Sequence, residues 1–255
     1  MSIEIELFPA LETNYGVLIR DTATGTVAAI DAPETGPILA ALDRRGWDLD
    51  IVLITHHHPD HTDAILPLKK KFGATVYGPR GEKDKIEGLD HLVSGGDSVR
   101  IGETAFAVID VPGHTLGHIA YHSRPEKLLF AADALFSLGV GRMFEGNPEM
   151  MWEGLLRLRA LDPETRLYCG HEYTLSNAAF ALSVDPDNAA LKARAQEAQN
   201  QIDNGEPTIP SLLASEIAAN PFLRADDPAI AKAMKLEGAP AAEVFGALRK
   251  AKDNF

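Results

Sequence analysis

The stretch Asp50-Ile51-Val52-Leu53-Ile54-Thr55-His56-His57-His58-Pro59-Asp60-His61 decides the reading of this chain. Ile51 to Ile54 is short, apolar and β-branched, which is the composition of a buried strand. It runs directly into T-H-x-H-x-D-H, so a strand end delivers three imidazoles and a carboxylate into one loop. In open α/β sheets, the C-terminal ends of strands are where sites are built. Neutral imidazole and carboxylate are ligand types that suit zinc, iron or manganese. Four such groups so close together are costly to bury without a cation, and they have little purpose if exposed. A solvated His-rich turn is the plainer alternative. The ligand-type spacing and the partners found downstream weigh against it.

Upstream, Ile3 to Phe8 alternates apolar and acidic residues and predicts a half-exposed strand. Tyr15 to Arg20 and Thr26 to Asp31 flank a hairpin-type turn, and Pro33 to Gly46 predicts a helix. Downstream, Thr62 to Phe72 predicts a helix whose last turn carries Lys69, Lys70 and Lys71, cations that complement the helix dipole. Short strands are expected at Thr75 to Tyr77, Ser98 to Ile101, Thr104 to Val111, Ile119 to His122, Lys127 to Ala132 and Thr165 to Cys169, with a helix over Pro148 to Leu161. From Leu175 onward no strand is expected. Helices are expected over 175–183, 188–201, 212–219, 228–236 and 240–252, separated by Pro- and Gly-containing breaks. The partition is therefore a mixed α/β domain, 1–174, and a helical domain, 175–255.

Three later positions repeat the strand-end logic. His114 lies in the tight turn Val111-Pro112-Gly113-His114-Thr115. Asp133 ends the apolar run Phe130-Ala131-Ala132. His171 follows Cys169-Gly170. Each alone reads as a cap or a supporting group. With the loop they supply His56, His58, His114, Asp60, His61, His171 and Asp133, enough for two metal positions with a bridging carboxylate. His57 lies between two ligands and alternation points it away. His118 reads as a supporting group, and His91 and His122 as surface or structural. Asp31 and Asp110 read as structural or supporting, and Cys169 as a small buried strand residue.

The 255 residues carry a formal net charge of −13, which argues against a nucleic-acid partner and requires a local basic patch for any anionic substrate. The single cysteine excludes an internal disulfide and a thiolate zinc cluster. Neither a signal peptide nor an apolar run of membrane-spanning length is visible, so a cytoplasmic, monomeric enzyme is expected.

His56 to His61 resembles the H-x-H-x-D-H signature of the metallo-β-lactamase superfamily. More narrowly, the chain resembles glyoxalase II, the hydroxyacylglutathione hydrolases. The resemblance runs through Pro112-Gly113-His114-Thr115-Leu116-Gly117-His118, Gly141-Arg142-Met143-Phe144-Glu145-Gly146, Gly170-His171-Glu172-Tyr173-Thr174, Asn220-Pro221-Phe222-Leu223-Arg224 and Arg249-Lys250-Ala251-Lys252-Asp253. It implies an α/β fold, the four-layer αβ/βα sandwich of two mixed sheets, with a helical C-terminal domain. It implies two divalent metals (zinc, with iron or manganese as alternatives). One would be held by His56, His58 and His114, the other by Asp60, His61 and His171, with Asp133 bridging. Asp60 and Asp133 are then the carboxylates on which catalysis depends. The substrate implied is a glutathione thioester, S-D-lactoylglutathione, met by Arg142, Phe144, Tyr173, Arg249 and Lys252. Phe144 stands where the family often has Tyr. A mono-iron persulfide dioxygenase and a lactonase or β-lactamase of the same superfamily are the alternatives. The long helical C-terminal region disfavours the first, and the glutathione-type contacts disfavour the second. A non-enzymatic metal-binding module fits the complete ligand set poorly.

Overall fold

A computed structural model describes residues 2–255. The elements in order are β1 (Ile3–Ala10), β2 (Asn14–Asp21), β3 (Val27–Ile30), α1 (Thr35–Arg45), β4 (Ile51–Leu53), α2 (Pro59–Thr62), α3 (Ile65–Phe72), β5 (Thr75–Pro79), β6 (His91–Val93), β7 (Ser98–Ile101), β8 (Thr104–Asp110), β9 (Ile119–Ser123), β10 (Leu128–Ala132), α4 (Pro148–Arg159), β11 (Arg166–Cys169), α5 (Thr174–Val184), α6 (Ala189–Asp203), β12 (Ser211–Leu212), α7 (Leu213–Ala219), α8 (Pro228–Ala233) and α9 (Ala241–Asp253). They build two six-stranded sheets, ordered β1-β2-β3-β4-β5-β6 and β12-β11-β10-β9-β8-β7.

The first sheet is mixed. β1, β2 and β3 pair antiparallel, whereas β3, β4, β5 and β6 run parallel. The parallel part needs crossovers, and α1 supplies the one from β3 to β4 and α3 the one from β4 to β5. β3 is buried along its whole length, as expected of a parallel strand covered on both faces. α1 buries Ile38, Ala41 and Leu42, then stops at Gly46, whose φ of 64° is left-handed and whose amide caps the last carbonyls. In the second sheet β7, β8, β9 and β10 pair antiparallel in sequence order, and β11 pairs antiparallel with β12.

Contacts divide the chain into two compact units, Met1–Asp110 with Leu116–Phe130, and Val111–Thr115 with Ala131–Phe255. The first has a core of Leu18, Ala29, Val52, Ile54, Ile65, Leu68 and Val76 among others. The second has a helical core that includes Leu138, Ala178, Ala181, Leu191 and Ala219.

Three sequence expectations are corrected. The C-terminal region does contain a strand: β12 is two residues long and pairs with Arg166 and Leu167. β6, a three-residue run with no pattern of its own, follows Asp90, whose carboxylate accepts the Val76 amide. The helix expected over 62–72 is broken, with α2 ending at Thr62 and α3 starting at Ile65.

Candidate metal centre

In the first unit, the chain leaves β4 still buried: Ile54, Thr55 and His56 have no exposed surface. Asp31, at the end of β3 with a left-handed φ of 58°, organises the loop beyond β4. Its carboxylate accepts the Thr55 amide at 2.8 Å and the Thr55 hydroxyl at 2.9 Å. It also meets His61 Nδ1 at 2.8 Å. A carboxylate only accepts, so His61 carries its proton on Nδ1 and presents Nε2 as a lone pair. The Thr55 hydroxyl hydrogen is spent on Asp31, so its oxygen accepts from His56 Nδ1 at 3.0 Å, and His56 likewise presents Nε2. His58 Nδ1 stands 3.0 Å from that Nε2. Asp60 lies in α2 behind Pro59, a residue preorganised for a first helical turn. Asn14 donates to the Asp60 carboxylate at 3.0 Å, and Asp60 Oδ2 stands 3.5 Å from His61 Nε2. His57 turns away, its Nδ1 3.0 Å from Glu82, whose other oxygen accepts the Gly117 amide. His118 is fully buried and stacks on the His56 ring at 4.6 Å.

In the second unit, His114 follows Gly113, whose φ of 142° favours glycine and whose missing side chain leaves room for Met151. His114 Nδ1 donates to the Arg142 carbonyl at 2.7 Å, which again leaves Nε2 as the lone-pair nitrogen. That Nε2 lies 3.4 Å from Asp133 Oδ2, and His171 Nε2 lies 3.4 Å from the same oxygen. The lone pair of His114 Nε2 and a carboxylate oxygen at this distance repel unless positive charge sits between them, which a divalent cation supplies. Ala132, just before Asp133, has a left-handed φ of 41°, a strained conformation of the kind that collects at functional sites. Tyr173 stacks on His171 with rings 4.8 Å apart and nearly parallel, and Phe144 meets His114 edge-on at 5.3 Å. Glu172 ties this loop down: its carboxylate accepts the Thr208 hydroxyl at 2.8 Å and the Thr208 amide at 3.1 Å.

The sequence models of known families can be set against this geometry. That of the metallo-beta-lactamase superfamily matches residues 11–171, and that described as "Hydroxyacylglutathione hydrolase C-terminus" matches residues 172–255. A hydroxyacylglutathione hydrolase of Rhodopseudomonas palustris is 51% identical over 254 residues, covering 100% of both chains. This chain belongs to the hydroxyacylglutathione hydrolase family of the metallo-β-lactamase superfamily. Among solved structures it resembles ETHE1 from Myxococcus xanthus, with a TM-score of 0.69 at 26% identity over 97% of this chain and 90% of that one. It also resembles TTHA1623 in a di-iron-bound form, with a TM-score of 0.56 at 26% identity over 66% of this chain and 91% of that one.

For this hydroxyacylglutathione hydrolase chain, the seven expected metal donors fall into two sets. His56, His58, Asp60 and His61 lie together in the first unit, and His114, Asp133 and His171 in the second. Imidazole and carboxylate are the donor types that divalent metals take, and the chain groups them closely. The expected substrate residues lie in the second unit and differ among themselves. Phe144 and Tyr173 are exposed, and the Arg142 side chain is 67% exposed, 3.9 Å from Asp253. Arg249 is buried: it donates to the Val140 carbonyl at 2.8 Å and pairs with Asp253 at 2.9 Å. Lys252 donates to Ser176 at 3.0 Å. Burial lowers the Lys252 pKa from the ordinary lysine value, and the charges of Arg249 and Arg142 add to that, so the three cations share one field. Cys169 is buried, and its thiol points at the His171 carbonyl.

Sequence reasoning gives no role to Asn14, Glu82 or the Thr55 hydroxyl. Asn14 reaches Asp60 only through the β1–β2 hairpin, and nothing in its own neighbourhood signals this. Thr55 is the legible case: a hydroxyl directly before the first imidazole is placed to orient it.

Proposed function

We propose that this chain is a metal-dependent thioester hydrolase that cleaves S-D-lactoylglutathione to glutathione and D-lactate, the second step of methylglyoxal detoxification. The observation that carries the reading is the tautomer arrangement. Asp31, Thr55 and the Arg142 carbonyl each bind the Nδ1 of one histidine and leave its Nε2 to coordinate. In this reading His56, His58 and His114 would hold one metal and Asp60, His61 and His171 the other, with Asp133 as a ligand available to both. The di-iron form of a similar protein supports two positions. Zinc, iron and manganese all suit imidazole and carboxylate. Metal held there supplies Lewis acidity and a water of lowered pKa.

The residues of the chain do the rest. Asp60 and Asp133 are held in fixed orientation and contribute negative charge. The thiolate of glutathione leaves with a pKa near about 8.5 and needs no proton donor. Arg142 and Lys252 attract the carboxylates of glutathione, and the buried Arg249 adds its charge to their field, while Phe144 and Tyr173 supply apolar contact. Residues 175–255 act as the substrate-binding domain around this cluster. The protein works as a cytoplasmic monomer without a nucleic-acid or membrane partner. Among the described residues, no helix is long and apolar enough to cross a membrane.

The test is turnover of S-D-lactoylglutathione beside a β-lactam, a homoserine lactone and glutathione persulfide, with elemental analysis of protein purified without chelator. Preference for the thioester and more than one metal per chain are expected. Asp133→Ala should lose both metal and activity. A fully active protein with one metal, or oxidation of the persulfide, points instead to the dioxygenase alternative.

A further inference from the structure

Residues 136–140 form a buried segment outside helix and sheet, between Asp133 and Arg142. Ser137 and Leu138 have no exposed surface, and Phe136 and Val140 almost none. Leu138 has a left-handed φ of 58°, unusual for a branched side chain. Buried backbone needs hydrogen-bond partners, and this segment satisfies only part of the need itself, through the Phe136–Gly139 pair of bonds. Side chains from the helical region supply the remainder. Glu216 on α7 accepts the Leu138 amide at 2.7 Å and the Ser137 hydroxyl at 2.8 Å. Asn177 on α5 donates to the Ser137 carbonyl at 3.1 Å. Asn220 donates to the Gly139 carbonyl at 3.0 Å. Arg194 on α6 donates to the Ser137 hydroxyl at 3.2 Å. Gly139 is required here, because a Cβ would lie 2.5 Å from the Asn177 side chain.

The C-terminal end of the segment bears on metal donors. At Gly141 a Cβ would lie 2.1 Å from the Asp133 carbonyl oxygen and 2.9 Å from His114 Nδ1. The next carbonyl, that of Arg142, accepts His114 Nδ1. A shift of a few tenths of an ångström along 136–141 therefore reaches Asp133 and the ring orientation of His114.

We infer that Glu216 and Asn177 are positioning residues: they lock segment 136–140 and thereby fix Asp133 and His114 for metal. The inference rests on the proposed reading of Asp133 and His114 as ligands. Glu216 touches neither ligand. It acts through the Leu138 amide and the Ser137 hydroxyl, where a glutamine keeps both bonds, accepting from the amide and donating to the hydroxyl.

The experiment compares wild type, Glu216→Ala, Glu216→Gln and Asn177→Ala, each loaded with zinc. Zinc affinity is measured by competition with a chromophoric chelator, circular dichroism reports folding, and kcat and KM are measured separately. Outer partners of metal ligands commonly account for about 10- to 100-fold in affinity. Glu216→Ala should fold and lose zinc affinity in that range, with kcat falling and KM little changed. Glu216→Gln should restore affinity to within about 2-fold of wild type. If Glu216→Ala does not fold, Asn177→Ala carries the test, because it removes one hydrogen bond and should still weaken zinc binding several-fold. Wild-type affinity in a folded Glu216→Ala or in Asn177→Ala, with only a lowered melting temperature, makes the network merely structural and overturns the inference. Failure of the ligand reading is separate: it shows as an Asp133→Ala protein that keeps its zinc.

Discussion

Cys169 and Gly141 show how single positions settle what the sequence leaves open. A cysteine two residues before His171 is chemically able to ligate a metal, and only burial and partners decide. Its thiol is buried, faces the His171 carbonyl, and burial pushes its pKa up to about 12. A metal-binding or nucleophilic cysteine needs the thiolate, which this site disfavours at neutral pH. Cys169→Ala should therefore keep wild-type metal content by elemental analysis, and iodoacetamide should label the native thiol only as fast as the protein opens. Loss of one metal in Cys169→Ala would mean a thiolate ligand. Gly141 is the opposite case, a residue with no chemistry of its own. In the sequence it is one letter of a motif, yet its Cα packs where any side chain would strike the Asp133 carbonyl oxygen. Gly141→Ala should cost about 1–3 kcal/mol of stability as overpacking. It should also weaken metal retention under dialysis, whereas Gly36→Ala, with nothing within 4 Å, should do neither.

At the scale of elements, α9 carries two cations three residues apart, and the periodicity that places them on one face is right. What the periodicity misses is their unequal burial. Arg249 is 5% exposed and its guanidinium is spent on the Val140 carbonyl, Asp253 and the face of Phe222. Arg249→Ala leaves a buried carbonyl without its donor, which costs about 1–3 kcal/mol. The melting temperature should fall by about 2–4 °C per kcal/mol for a chain of this size. Lys252→Ala should leave the melting temperature within about 1 °C of wild type, because surface-type contacts contribute little. It should raise KM for the thioester with little change in kcat, as expected for a contact equally strong in ground and transition states. Equal melting temperatures for the two variants would show that the burial difference has no energetic consequence. The same contrast explains what is legible in the sequence. Strands β2, β3, β4 and β10 and helices α1, α4, α6 and α9 follow from local pattern. So does the metal loop, because strand and ligands are contiguous in the chain. β6 and β12 are two or three residues long and exist through their neighbours, and a pattern reading has no window that short. Segment 136–140 is apolar like a strand but is held by side chains far along the chain, a relationship no local window contains.

For the whole molecule, the acidic balance makes pH a stringent probe, because its carboxylates respond in two opposite senses. In Asp226 the hydrogen bonds from Arg159 hold the carboxyl below its usual range, and in Asp90 those from Lys69 do the same. A depressed folded pKa stabilises above the unfolded pKa, near about 3.9, and that contribution is lost as pH falls through the folded value. Acid should therefore unfold the protein partly through these groups. Glu216 works the other way. Burial raises its pKa, only partly opposed by the bonds from Leu138 and Ser137 and by the Arg194 charge. With its folded pKa above the unfolded value near about 4.3, the native state binds the extra proton, so stability from this group is present at low pH and declines as pH rises through the folded pKa. Glu216→Gln abolishes that titration while keeping the hydrogen bonds. Urea midpoints should be measured for wild type, Glu216→Gln and Asp226→Asn from pH 4 to pH 8. The Gln variant should gain on wild type as pH rises, and the Asn variant should lag wild type across the range, with the gap narrowing only as pH falls to its acid end. If the difference between Glu216→Gln and wild type is flat with pH, Glu216 titrates alike in folded and unfolded chains, and its burial carries no electrostatic cost.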